Sequence, residues 1–225
     1  MILCAVLARA RGRRGVHPSI RCDGIVTFVT PQAESILELF RSTGAYLQGH
    51  FRLTSGLHSQ EYLQSALVLQ HPAAAEKLGR LLAESIRELA PGRIGLVVSP
   101  ALGGLIVGHE VARALGTRFI FLEREAASGK MQLRRGFTVG PGEATVVIED
   151  VITTGGTTVD VIEVLRAAGA NVVAAGSIID RSGGHADVGV PRVALVTMQV
   201  AAHYPETCPL CQRGIPVVKP GSRPV

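Results

Sequence analysis

The chain has 225 residues, 47% of them hydrophobic and 18% charged, with a net charge of +5 and no tryptophan. That length suits one well-buried domain with a small appendage, and no apolar run approaches the roughly 18 residues a membrane-spanning helix needs. Most of the charge sits in residues 1–30, where Arg9, Arg11, Arg13, Arg14 and Arg21 oppose Asp23 alone, so the rest of the chain is near neutral and the basic balance does not argue for a nucleic-acid-binding domain.

Residues 1–29 read as a basic, disordered arm. The short apolar start Met1–Ala8 precedes the arginines, the reverse of a secretory signal, and order is expected to begin near Thr30. Thr30 and Pro31 form an N-cap and first helical position, and Ile36, Leu37, Leu39 and Phe40 give that helix its apolar face as far as Gly44. Strands and turns are expected from Gly49 to Leu69. Pro72 opens a second helix with a stripe of Leu78, Leu81, Leu82, Ile86 and Leu89, and Pro91-Gly92 stops it.

Strands and helices then alternate. Strands are expected at 94–98, 118–122, 145–149, 172–177 and 193–197, with helices at 102–115 and 156–168 and a loop running through Gly136. This alternation predicts an α/β fold with a mainly parallel central sheet flanked by helices. The tail from Ala201 holds Pro205, Pro209, Pro216, Pro220 and Pro224 and reads as irregular.

The chemistry concentrates at predicted strand ends. The apolar strand at 146–148 closes in Glu149 and Asp150, followed by Val151, Ile152, Thr153, Thr154, Gly155, Gly156 and Thr157 and then a helix. The Thr/Gly turn offers backbone N–H groups and hydroxyls to a phosphate, and the carboxylates accept from sugar hydroxyls and attract a divalent cation. The turn lacks the lysine of a Walker loop and the G-x-G-x-x-G spacing of a dinucleotide site. Ala101, Leu102 and Gly103, after the first strand, make a second anion loop suited to pyrophosphate.

The loop from Glu123 to Gly136 is dense in charge. Its Lys130 is one of only three lysines in the chain and follows Gly129, as a closing lid would require. Arg124 stands at a strand end. Cations delivered by such a loop neutralise a pyrophosphate leaving group. Arg181, after Asp180, presents a fork that fits a substrate carboxylate; a surface pairing of Asp180 with Arg181 is the plainer reading of the same residues. Cys208 and Cys211 form a lone C-x-x-C. With His203 they make only three ligands, one short of a structural zinc site, so a tight turn with two reduced thiols in a reducing cytoplasm is expected.

Taken together these motifs resemble the type I phosphoribosyltransferases, and among them the orotate phosphoribosyltransferase family. The acidic pair with Thr-Thr-Gly-Gly-Thr is similar to the family's phosphoribosyl pyrophosphate (PRPP) signature. The segment Gly49 to Ser59 resembles its N-terminal F-x-L-x-S-G-x-x-S element. The resemblance covers about Thr30 to Val200 and implies a phosphoribosyltransferase domain over 30–225, with a core over about 71–198 and a hood from about 30–70 and 199–225. It implies transfer from PRPP to orotate, giving orotidine 5′-monophosphate and pyrophosphate in pyrimidine biosynthesis.

By that resemblance Thr153 to Thr157 holds the 5′-phosphate, and Glu149 and Asp150 face the ribose. Ala101 to Gly103 faces pyrophosphate, Thr153 and Arg181 contact orotate, and Arg124 and Lys130 serve PRPP and catalysis, Arg124 reaching the partner subunit's PRPP. Mg²⁺ is held mainly by PRPP, near Asp150, with no direct protein ligand assigned. A cytoplasmic homodimer with shared sites is implied, with no membrane or nucleic-acid partner. The chain departs from the family at Thr54 and Gly103, where many members carry lysine, and its lid has no histidine, which leaves Lys130 as the lid candidate. Two other readings stay open: a purine-type phosphoribosyltransferase, and a non-catalytic PRPP-sensing regulator.

Overall fold

The computed structural model of the protein describes residues 17–20, 26–53 and 55–220. Two short strands, β1 (His17–Ile20) and β2 (Val26–Val29), pair antiparallel ahead of Thr30. Regular backbone therefore starts earlier than expected. The run Val26-Thr27-Phe28-Val29 is β-branched and aromatic, and strand propensity there outweighs the basic composition of the arm. The remaining arm, 1–16 and 21–25, lies outside the described residues.

Helix α1 (Pro31–Ser42) begins as its cap predicts, with the Thr30 hydroxyl accepting from Ala33 N at 3.1 Å. Strands β3 (Tyr46–Arg52) and β4 (His58–Leu63) form a bulged antiparallel pair. A single helical turn follows where strands and turns were expected, α2 (Ser65–Leu69). The long α3 (Pro72–Leu89) buries Leu78, Leu82 and Ile86 completely. Its mid-helix Gly79 has a packing cause: a Cβ there would lie 2.8 Å from the Glu110 backbone on the next helix.

The core sheet is built from β5 (Leu96–Pro100), β6 (Arg118–Arg124), β7 (Met131–Leu133), β8 (Ala144–Ile152), β9 (Asn171–Asp180) and β10 (Arg192–Thr197). Its spatial order is β10-β9-β8-β5-β6-β7. All neighbours are parallel except β6 and β7. Helices α4 (Gly104–Leu115) and α5 (Gly156–Ala167) connect β5 to β6 and β8 to β9. Period-two burial divides the core. Val97, Val146 and Ile148 pack with α3 and α4 on one face, whereas Leu96, Val98 and Val147 pack with α5 on the other.

The loop expected through Gly136 is in part the antiparallel edge strand β7. Its hairpin is tied by a two-pronged ion pair from Arg135 to Glu123, at 2.7 and 2.8 Å. The tail is also more ordered than its prolines suggest. β11 (Ala202–His203) pairs with β4, a 3-10 turn spans Pro205–Thr207, and α6 (Pro209–Gln212) follows with proline at its first position. β3, β4 and β11 make a second, three-stranded sheet from the two ends of the described chain. Among the described residues no helix is long and apolar enough to cross a membrane.

Candidate functional site

The chain order reverses between β5 and β8. One connection leaves β5 for β6, and the next leaves β8 for β9 on the other side. Crevices at the carboxyl ends of such strands take ligands in open α/β sheets. Both predicted anion loops open there. Beyond Pro100, Ala101 N donates to Leu122 O at 2.8 Å, and Leu102 and Gly103 stand exposed. The Ala101–Leu102 peptide is cis.

Beyond β8, Gly155 caps α5 in the left-handed conformation (φ 86°). A side chain at that φ would be strained, and its Cβ would lie 2.9 Å from Val188 Cγ1, so the turn requires glycine. The backbone N–H groups of 153 to 157 donate to no group among the described residues. Free amides at a helix N-terminus form an anion cradle.

The two loops touch through the acidic pair. A Cβ on Gly103 would lie 2.6 Å from Asp150 Oδ1, so only glycine lets this loop approach the carboxylate so closely. Asp150 is half-buried, and burial raises its pKa. Glu149 accepts from the Thr158 hydroxyl, and burial pushes its carboxyl up to about 7 against that hydrogen bond. Val151 and Ile152 run on in β8, and Ile152 is buried.

Arg181 comes to the same place. Its N–H donates to Ile152 O at 2.8 Å, beside Thr153. The surface pairing with Asp180 does not form. Asp180 is fully buried and instead accepts from Arg192 Nη1 at 2.7 Å, from Ser182 Oγ at 2.6 Å and from the Ser182 and Gly184 N–H groups. The Arg181 guanidinium is left without an ion pair or hydrogen bond among the described residues, and its buried Nε is unpartnered. Burial lowers its pKa, while nearby Glu61 and Tyr62 of β4 oppose that shift. Tyr62, its phenol raised by burial, lies within electrostatic reach of both Arg181 and Asp150. The second sheet therefore lies beside the strand ends of the first.

Arg124 is turned onto the loop and helix start at 153–160 of its own chain. It donates to Thr157 Oγ1 at 3.3 Å, Asp160 Oδ2 at 2.8 Å and Gly129 O at 2.8 Å. Lys130 is exposed at the tip of the β6–β7 hairpin, where its carbonyl accepts from Glu125 N at 2.9 Å. Its side chain makes no hydrogen bond or ion pair among the described residues. The structure thus gathers 101–103, 149–150, 153–157, Arg124 and Arg181 at the carboxyl ends of β5, β6, β8 and β9, and leaves the Lys130 side chain without a hydrogen bond to any of them among the described residues. Sequence reasoning missed Tyr62 and Glu61, whose place depends on how the small sheet docks.

The chain belongs to the phosphoribosyl transferase family, whose domain matches residues 65–202. It is 53% identical to the orotate phosphoribosyltransferase of Pelotomaculum thermopropionicum over 85% of this chain and 98% of that protein. It is 52% identical to that of Heliobacterium modesticaldum over 84% and 98%. Among solved structures, the Aeropyrum pernix orotate phosphoribosyltransferase superposes with a TM-score of 0.59 at 28% identity, covering 72% of this chain and 93% of that one. Within the family, these relatives place the chain with the orotate phosphoribosyltransferases.

Proposed function

We propose that the protein transfers the 5-phosphoribosyl group of PRPP to orotate, giving orotidine 5′-monophosphate and pyrophosphate in the de novo pathway to UMP. Relatives of that name at more than half identity support the reaction. The observation that carries the choice of base is Arg181, a guanidinium with a buried, unpartnered Nε beside Thr153. A buried cation without a partner calls for an anion, and the orotate carboxylate fits its fork. A purine has no such group.

The rest of the reading follows from the crevice. The free N–H groups and hydroxyls of Thr153, Thr154, Gly155, Gly156 and Thr157 take the 5′-phosphate. Glu149 and Asp150 accept from the ribose hydroxyls, and Ala101, Leu102 and Gly103 line the pyrophosphate. Breaking the anomeric bond builds positive charge on the ribose and negative charge on pyrophosphate. No covalent nucleophile is needed, so positioning and electrostatic stabilisation carry the rate. Arg124 brings a cation to the phosphate loop and, in a dimer, toward the partner's PRPP. Lys130 closes over the leaving group with its hairpin.

Adjacent carboxylates at a strand end are a hard oxygen donor set that fits Mg²⁺, with Asp150, in contact with Gly103 on the pyrophosphate side, the nearer of the two. Held mainly by PRPP, the ion would offset charge on the pyrophosphate. We take the second sheet as a hood over the site, the working unit as a homodimer, and the compartment as cytoplasm. Exposed Leu102 and Ile106 beside the site favour a partner surface there.

The test follows orotate by its ultraviolet absorbance with PRPP and Mg²⁺, with adenine, hypoxanthine and uracil in parallel. Orotate loss matched by pyrophosphate release is expected. Turnover of a purine instead, or of no base, would overturn the reading.

A further inference from the structure

The C-x-x-C of the tail does not stand alone. Cys208 is the N-cap of α6 and Cys211 lies one turn on, and both thiols face His50 of β3 and His58 of β4. His203, the nearer histidine in sequence, is not in the group. The four donor atoms lie within 4.8 Å of one another. Cys208 Sγ and Cys211 Sγ are 3.5 and 3.7 Å from His50 Nε2, and Cys211 Sγ is 3.2 Å from His58 Nδ1. The two ring nitrogens are 2.9 Å apart. A tetrahedral zinc with ordinary Zn–S and Zn–N bonds has donor-to-donor edges of about 3.3 to 3.8 Å. We infer that His50, His58, Cys208 and Cys211 form a structural Zn²⁺ site that fastens the C-terminal tail to the β3–β4 hairpin.

The surroundings of His50 supply an independent argument. Its Nδ1 lies 2.7 Å from Ile215 O. A carbonyl can only accept, so Nδ1 carries the hydrogen and Nε2 turns its lone pair toward the other three donors. A ligating histidine is ordinarily oriented in this way, by its second nitrogen donating to a carbonyl or carboxylate. The imidazoles meet nearly edge to face, at 71°.

Burial sharpens the case. His50, His58 and Cys208 are buried, while Cys211 is exposed and leaves a route for the ion. Two thiolates and one Zn²⁺ sum to zero charge, a tolerable group to bury. The region also has little else to hold it. Phe51 and Leu210 are buried there but belong to neither large apolar cluster of the core. A small element without its own core is the setting in which structural metals act. The site would fix both ends of the segment 51–57, between the two histidines, and the adjoining backbone bridge from Val218 to β3.

The experiment does not depend on the transferase reading. Protein purified without tag or chelator is analysed for metals, with thiols counted before and after chelation. About one zinc per chain is expected, retained through gel filtration and lost from Cys211→Ser. Cobalt added to the chelated wild type should give the intense visible bands of a tetrahedral site and a thiolate charge-transfer band, whether or not the variant folds. Zinc retained fully by a folded Cys208→Ser/Cys211→Ser protein would overturn the site. So would chelated wild type that stays folded, has all four of its thiols free and takes up neither zinc nor cobalt.

Discussion

The carboxyl edge of the six-stranded sheet and the three-stranded sheet beside it are held by different forces. At the edge, Val97, Val146 and Ile148 are fully buried under two helices, and this packing fixes where the loops at 101–103 and 153–157 emerge. Beside it, β3, β4 and the tail are joined mainly by backbone pairing and by the His/Cys cluster. A rigid edge suits the invariant phosphates of a ligand. The sheet reaches the main apolar cluster through Leu63 and Tyr46 at one end only, and the end with the His/Cys cluster suits the part that must admit a base and enclose it. The lesson is that one crevice is assembled from a packed half and a polar-stapled half, and disturbing each should have distinct consequences.

The largest effect is expected from the packed half. Gly155→Val puts a branched side chain at positive φ and against Val188. Strain and clash together cost about 3 kcal/mol, so the KM for PRPP should rise roughly a hundredfold. Retention of wild-type PRPP kinetics would remove the phosphate cradle from the account.

Next comes Glu149, tested in the ligand-free protein. Burial raises its folded pKa to about 7, from an ordinary glutamate value of about 4.5. A raised carboxyl pKa means that the folded state holds its proton more tightly. Its stabilising contribution is present below about pH 4.5, declines as pH rises toward 7 and stays lost above that. Glu149→Gln should therefore be more stable than wild type at pH 8, by up to about 3 kcal/mol, and no more stable at pH 4. Thermal melts across that range check it, and a pH-independent difference would contradict the assigned cause.

Smaller changes are expected on the charged hairpin. Lys130→Ala should lower kcat about tenfold while leaving the melting temperature unchanged, since its exposed side chain holds nothing in the fold. Arg135→Ala breaks an exposed two-pronged pair with Glu123 and should cost under about 1 kcal/mol in denaturant unfolding. A larger loss would mean that the hairpin is a stability element and not a lid.

The packed half was the more legible in sequence. Thr30-Pro31 and Pro72 mark helix starts through local capping chemistry, and the runs in β5, β8 and β9 are apolar because both sheet faces are covered. The site loops follow from strand ends and glycines, which are also local. What stayed hidden depends on distant partners. Asp180 takes Arg192 from the neighbouring strand and not the adjacent Arg181. β7 is an edge strand of three residues, too short for its Met-Gln-Leu alternation to stand out as a period. The thiols of Cys208 and Cys211 meet histidines more than 150 residues away, so the nearby His203 misdirects the ligand count.

The most direct test of the divided crevice is calorimetric binding of PRPP with Mg²⁺, and in separate titrations of orotate with no PRPP present, to wild type and Arg181→Met. PRPP affinity should stay within about twofold and orotate affinity should fall roughly a hundredfold, as expected when a charged, hydrogen-bonded contact is removed. Equal losses for both ligands, or unchanged orotate binding, would contradict the claim that Arg181 selects the base.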